Sequence, residues 1–326
     1  YDEKVYAGYF SLSKDWEKWS IKTGLRAEQT ESSGNSVALA TINDLEYFEF
    51  FPTFYLLHNM NETHSFAFDY SRKLSRPRYE DLNPFRTFIN ENNFYEGNPN
   101  LLPSFSSNFN FNYTLKQEFF FDLYYRDNGN YISTLSFQDN ENQILRDVTQ
   151  NVLESTSYGF DFNYGKSITN NWYLYSYISI FHEDETFLAL ESNNISATNE
   201  FDGFYVDLTN YLTLSKDGTL KGELGLTYLS GFLQGSYTQA ETTNLTFGLR
   251  KSLWKRRALL SVAVNDILGK ANGGVTSKYL NQDNNYLAVP ETQYVRFGFT
   301  YNFGNYRLED NNRDIDKIER DRLSSE

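Results

Sequence analysis

The densest set of potential metal ligands in the chain is His182-Glu183-Asp184-Glu185. A metal centre needs donors that converge from separate positions, and imidazole is the commonest of them. The other two histidines, His58 and His64, lie far upstream. The run therefore reads as an acidic, solvated loop. The chain has no cysteine, which excludes disulfides and thiolate centres. No serine, histidine and carboxylate stand at a recognisable catalytic spacing. No catalytic, metal or cofactor site is expected, and the chain reads as a non-enzyme. The other candidate chemistry is stacking. Tyr79, Phe85, Phe94 and Tyr95 fall within Arg72 to Pro103, a stretch that also holds Pro77, Pro84, Pro99 and Pro103. Rings on a proline-stiffened loop could contact a sugar or an aromatic ligand, although packing that stiffens the loop itself is the plainer reading.

The elements that must carry these residues show best in Tyr294 to Gly304. Val295, Phe297, Phe299, Tyr301 and Phe303 alternate with Arg296, Gly298, Thr300 and Asn302. In an extended chain that places aromatics on one face and small, polar or charged groups on the other. The pattern recurs at Val5–Leu12, Trp19–Glu28, Leu45–Leu57, His64–Ser71, Phe105–Tyr113 and from Phe119 to about Gln138. It returns in the strand ending Tyr158–Gly165, then at Trp172–Phe181, Phe204–Leu214, Leu220–Tyr228, Leu245–Leu249, Leu260–Val264 and Tyr294–Phe303. Thirteen strands are thus expected, with a fourteenth left open. Pro52 marks a bulge or a strand end.

Connections near 14, 60, 116, 169, 217 and 254 are short, whereas 29–44, 72–103, 183–200, 234–242 and 268–289 read as long loops. A turn at 139–142 is the one weak case in this alternation. Strands that run up and down between a plain end and an elaborated end match a barrel with short periplasmic turns and long extracellular loops. Lys22, Asp69, Asp122, Asp161, Asp207, Glu223 and Arg296 fall mid-strand on the polar face. There a wet lumen tolerates them, while lipid would not. Aromatics near strand ends (Trp19, Tyr70, Tyr113, Trp172, Tyr228, Tyr301) suit the two interfaces. The fold class is therefore all-β, an antiparallel up-and-down transmembrane barrel in contact with the lipid bilayer. A soluble β-sandwich or solenoid is the alternative.

Composition agrees. Aromatics make up 18% of 326 residues, and the net charge is -14, which argues against a nucleic-acid partner. No run reaches 18 apolar residues, so no transmembrane helix is expected. The mean hydropathy of -0.60 suits strands that are only half apolar.

Tyr70-Ser-Arg-Lys-Leu-Ser-Arg-Pro-Arg-Tyr79, Asp81-Leu-Asn-Pro-Phe85 and Gly97-Asn-Pro-Asn-Leu101 with Pro103 resemble the signature of TonB-dependent outer-membrane receptors of Bacteroidetes. More narrowly, they are similar to the outer-membrane β-barrel family that forms the C-terminal part of such receptors. Tyr6-Ala-Gly-Tyr9, Thr23-Gly-Leu-Arg26, Ser157-Tyr-Gly-Phe160, Asn265-Asp-Ile-Leu268 and Tyr301-Asn-Phe-Gly304 extend the likeness over nearly the whole chain. The resemblance implies a 22-stranded barrel, here represented by its last thirteen strands. It also implies an N-terminal plug and TonB contact in parts of the polypeptide outside this stretch. Residues 1–304 are expected to be barrel and 305–326 a polar periplasmic tail. The implied function is energised uptake of a nutrient ligand across the outer membrane of a Gram-negative cell, with a surface lipoprotein as a possible partner. A passive porin or an adhesive barrel without TonB is the alternative. Residues 72–103, 183–200 and 268–289, with Tyr79, Phe85, Phe94 and Tyr95, are the expected ligand-contact region.

Overall fold

The computed structural model of the protein describes residues 2–36 and 41–304. In chain order the strands are β1 (Asp2–Asp15), β2 (Trp19–Ser36), β3 (Thr41–Asn59), β4 (His64–Ser75), β5 (Arg86–Asn90), β6 (Asn93–Glu96) and β7 (Ser104–Leu115). There follow β8 (Phe119–Asp127), β9 (Ile132–Asp139), β10 (Ile144–Asn151), β11 (Glu154–Thr169), β12 (Trp172–Ala189), β13 (Ile195–Thr213) and β14 (Leu220–Leu229). The last are β15 (Phe232–Gln234), β16 (Tyr237–Gln239), β17 (Thr242–Leu253), β18 (Ala258–Asn265), β19 (Val275–Tyr279), β20 (Gln282–Tyr286) and β21 (Tyr294–Tyr301).

A 13-stranded sheet forms the wall, in the order β1-β2-β3-β4-β7-β8-β11-β12-β13-β14-β17-β18-β21. Every neighbouring pair is antiparallel, as an up-and-down meander requires. β1 and β21 are its two edges.

The register carries one face across the strands. Phe162 stands opposite Phe121 and Ile178, Ile178 opposite Val206, and Val206 opposite Tyr228. One residue along, Asp161 stands opposite Asp122 and Ser179, and Ser179 opposite Tyr205. The first face is a continuous aromatic and aliphatic surface: Phe66–Tyr113 ring centroids lie 4.8 Å apart, and Tyr113–Phe121 5.6 Å. It lies open, with Phe297 75% and Phe299 60% exposed, which is the condition of a lipid-facing surface. The seven mid-strand charges expected on the polar face all lie on the second face, and Asp69 and Asp122 there accept bonds from Asn110 and Asn112.

Pro52 neither ends nor interrupts β3; it pairs opposite Leu25 of β2. Its missing N–H acts on the other side, where pairing with β4 stops at Thr53 opposite Ser71. Arg72 fills the gap. Its guanidinium donates to the Phe50 carbonyl at 2.8 Å and to Glu49 at 2.7 Å, and stands 4.9 Å from the Phe105 ring.

Several expected loops are corrected. Residues 29–44 belong largely to β2 and β3, whose pairing runs out to Ser36 opposite Thr41. Residues 183–200 belong to β12 and β13, paired to Ala189 opposite Ile195 and joined by a 3-10 turn at Leu190–Ser192. Polar sequence concealed these extensions: beyond the lipid the outer face of the ladder turns polar, and on the inner face polar groups such as Thr30 and Glu185 are buried alongside Phe187 and Ala189, so the apolar alternation fades while the backbone bonds continue. Residues 119 to 138 are not one wall strand. β8 leaves the wall at Asp127, and residues 128–153 form an excursion containing the β9–β10 hairpin. The turn at 139–142 therefore lies inside a long connection, and the alternation of short and long ends holds without its weak case. The expected loops at 72–103, 234–242 and 268–289 each contain short strands. The tail at 305–326 lies outside the described residues.

The excursions build a crown over one end of the wall. One four-stranded sheet, β5-β6-β10-β9, comes from residues 86–151, and another, β15-β16-β19-β20, from residues 232–286. Between them lies the buried hydrophobic core of Leu135, Phe137, Val148, Val152, Phe187, Ala189, Ala197 and Tyr279. Side chains finish the exposed backbone of β9. Ser136 N–H donates to Ser236 Oγ at 2.8 Å, the Ser136 carbonyl accepts from Tyr279 at 2.8 Å, and the Gln138 carbonyl accepts from Gln282 at 2.9 Å.

Candidate functional site in the crown

The stretch from Arg76 to Pro103 folds back on the inner face of β1–β3 around an ion-pair anchor. Arg76 leaves the end of β4 and pairs with Glu28, with Glu3 at 3.3 Å, and donates to Thr30 Oγ1 at 3.1 Å. Glu28 is 3% exposed and also accepts from Arg26 Nε at 3.0 Å. A carboxylate this buried is tolerated because two guanidinium groups serve it.

The rest of the stretch closes by local bonds. Arg78 grips Asp81 through two bonds, 2.9 and 3.0 Å. The Asp81 carbonyl accepts from Asn98 N–H at 2.7 Å. Gly97 passes so close that a Cβ there would stand 2.2 Å from the Asn83 carbonyl oxygen, so this crossing admits no side chain. Asn43 of β3 donates to the Pro99 carbonyl at 2.9 Å. The separate Arg-Pro, Leu-Asn-Pro-Phe and Gly-Asn-Pro segments are thus parts of one substructure.

Between that substructure and the wall lies a cleft of about 380 Å³. Its walls are mainly apolar (Leu45, Tyr47, Pro77, Leu101, Pro103), with Arg76 and Glu3 at one side. Tyr79 and Phe85 line it, each 66% exposed. The other two aromatic candidates lie elsewhere. Phe94 is 4% exposed in β6, packed under the Arg86 guanidinium at 4.5 Å and against Phe88 at 5.4 Å. Tyr95 points from the opposite face of β6 and is half exposed. The structure brings Tyr79 and Phe85 together and leaves Phe94 in packing. Arg76, Tyr47 and Leu45 were not singled out in sequence; the Arg-Pro pair was the available signal for Arg76.

Arg76→Ala is expected to release residues 76–103 without unfolding the wall, because Glu28 is left buried with one partner, a loss of roughly 3 kcal/mol. Trypsin cleavage at Arg78 or Arg86 would then accelerate on the order of a hundredfold. Cleavage at the wild-type rate would show that this anchor does not hold the cleft.

A second cavity, of about 480 Å³, opens on the inner face where β8 has left the wall. Ser75, Ser104, Ser106 and Ser155 line it, together with Lys73, Tyr131, Glu183 and Glu185. The expected acidic loop at 182–185 is here a paired strand, and its alternation splits the run. His182 and Asp184 face outward; His182 bonds Asp202 at 2.8 Å and stacks on Tyr158 at 4.9 Å. Glu183 and Glu185 face inward, so the four side chains do not converge. Burial pushes the Glu183 and Asp147 carboxyls above the usual carboxylate range.

The sequence matches the model of the outer membrane protein β-barrel family over residues 1–301. No curated protein matches it. Solved structures share the fold at low identity. The ferric yersiniabactin uptake receptor FyuA from Yersinia pestis aligns with a TM-score of 0.61 at 11% identity, covering 93% of this chain and 46% of that one. The hemophore receptor HasR of Serratia marcescens, a double mutant in complex with hemophore HasA and heme, gives 0.62 at 14% identity, covering 92% and 51%. The copper transporter OprC gives 0.63 at 10% identity, covering 91% and 48%. The chain spans about half the length of these structures.

Proposed function

The chain belongs to the outer membrane protein β-barrel family, and from that premise we propose that it forms wall and extracellular crown of a TonB-dependent receptor for a nutrient ligand. It resides in the outer membrane of a Gram-negative cell. The observation that carries the uptake reading is the cleft beneath the proline-rich stretch: an ordered, mostly apolar recess on the lumen side of an extracellular crown, rimmed by two exposed aromatics. Among the described residues β1 and β21 are the edges of the wall; unpaired backbone groups in lipid cost several kcal/mol each, so in the membrane these edges are expected to be paired. The signature segments resemble those of Bacteroidetes receptors, whose plug and TonB contact would lie in other parts of the polypeptide. A surface lipoprotein over the crown is compatible with this arrangement.

Planar-bilayer recording on the full-length protein tests the reading. A receptor closed by a plug gives no steady conductance, and its ligand uptake in cells requires TonB. Steady open channels, with uptake unchanged without TonB, would make it a passive porin. Within the receptor reading, Tyr79→Ala and Phe85→Ala are each expected to weaken ligand binding about tenfold, from roughly 0.5–1.5 kcal/mol of ring contact plus lost apolar area. Phe94→Ala is expected to act through stability instead. Unchanged uptake affinity in both rim variants would remove the cleft from the ligand path.

A further inference from the structure

Two stretches that leave the wall are tied back to it by carboxylates of one strand. Tyr131, just before β9, donates its phenol proton to Oε1 of Glu185 at 2.5 Å. The N–H of Leu233 in β15 donates to Oε2 of Glu183 at 2.8 Å. Both bonds lie at the crown end of β12. The outward-facing groups at this level, His182, Asp184, Glu200 and Asp202, are all ionisable, so the site stands clear of the hydrocarbon band.

Glu185 is the unusual member. It is 6% exposed, and its Oε2 is buried without a donor. Among the described residues no cation pairs with it. Lys73 of β4 lines the far side of the same cavity, Arg126 of β8 acts on Glu183, and β12 itself supplies two more carboxylates, Glu183 and Asp184. On the outer face, His182 is engaged by Asp202. A buried carboxylate with one orphan oxygen and acidic neighbours favours its neutral form, which keeps the Tyr131 bond and places no charge in the interior.

We propose that Glu185 is a proton-operated latch: as a carboxylic acid it lets the 128–153 and 230–241 excursions sit down on the wall, and as a carboxylate it loosens them. Burial pushes this carboxyl up to about 7; the Tyr131 bond opposes the rise, Glu183 and Asp184 add to it, and a backbone bond from Gly235 of the 230–241 excursion also opposes it. In a loosened crown the group returns toward 4.5, the ordinary value. The closed state then binds the proton more tightly than the open one. Closure is fully favoured below about 4.5 and weakens as pH rises to about 7, beyond which the loss is complete. The latch therefore operates as the medium passes from mildly acidic to neutral.

Hydrogen exchange on the full-length receptor in lipid nanodiscs, corrected for intrinsic rates with an unstructured peptide, tests this. Amides of β9 and β15 are expected to open on the order of fiftyfold more often at about pH 7.5 than at about pH 5. Glu185→Gln is expected to hold them protected at both. A wild-type profile that is flat in this window overturns the latch without reference to any variant. So does a Glu185→Gln profile that keeps the wild-type pH dependence. Asp202→Asn is expected to leave the dependence in place; its disappearance there would assign the titration to the His182 pair and overturn the proposal.

Discussion

Phe187→Ala is expected to unfold the crown while leaving the wall standing. Phe187 is fully buried, and its ring meets Tyr279 edge-on at 4.9 Å. It belongs to β12, whereas Leu135 and Phe137 in the same cluster belong to β9 and Tyr279 to β19. One ring therefore joins a wall strand to both crown sheets. Removing a buried phenylalanine costs roughly 3–5 kcal/mol when neighbours cannot collapse into the space. Collapse is restricted here because side chains of the second sheet complete the backbone bonding of β9 (Ser136 to Ser236 and Tyr279). The wall does not share the loss, because its apolar area is removed from water by lipid. Exchange protection of β9 and β19 is expected to fall by a factor of a hundred or more. β17 and β18 are expected to keep theirs, and the folded barrel its compact migration on unheated gels. A uniform loss across wall and crown would contradict the division into two separately stabilised parts.

The second large effect tests which face meets the membrane. Phe247 of β17 lies on the aromatic face, opposite Leu224 and Val264. Thr246, one residue earlier, faces the lumen opposite Gly225. Phe247→Arg is expected to lower stability by roughly 2–4 kcal/mol, the cost of a guanidinium near the middle of the lipid-facing band. Thr246→Arg is expected to cost about 1 kcal/mol or less, since the lumen already holds Arg250 and Arg296. Urea unfolding of the full-length protein in lipid vesicles reads both. Equal losses in the two variants would mean that the aromatic face is not the lipid face.

The contrast between these two sites shows what was legible in the residues alone. Period two is set by backbone geometry, so Val295, Phe297 and Phe299 had to share a face wherever the strand lay. Lys22, Asp69, Asp161 and Arg296 marked the opposite face as wet, because charge in lipid is expensive. Strand existence, the lipid and lumen faces, the number of strands in the wall and the hairpins at short turns such as Lys216-Asp217-Gly218 followed from these local rules.

The tertiary structure alone decided the rest. Ser32, Asp44, Glu183 and Glu200 read as loop because the lipid-facing alternation disappears beyond the membrane, yet ladder bonds carry the strands on through them. The excursion at 128–153 could not be recognised as one, because apolar residues of β9 pack in the crown with the same alternation they would show in a wall. Tyr79 and Phe94 look alike in sequence. One rims a cleft and the other is buried beneath Arg86, a difference set by how Arg76, Gly97 and Asn43 fold the stretch. Glu185 is the sharpest case. In sequence it is one of four consecutive polar residues; in the fold it is a buried carboxyl beside Tyr131, 54 positions away. Alternation is a property of the chain at short range and survives any fold that keeps the strand. Burial, and with it the energy of a charge or a ring, depends on contacts that the chain makes only after distant segments have met.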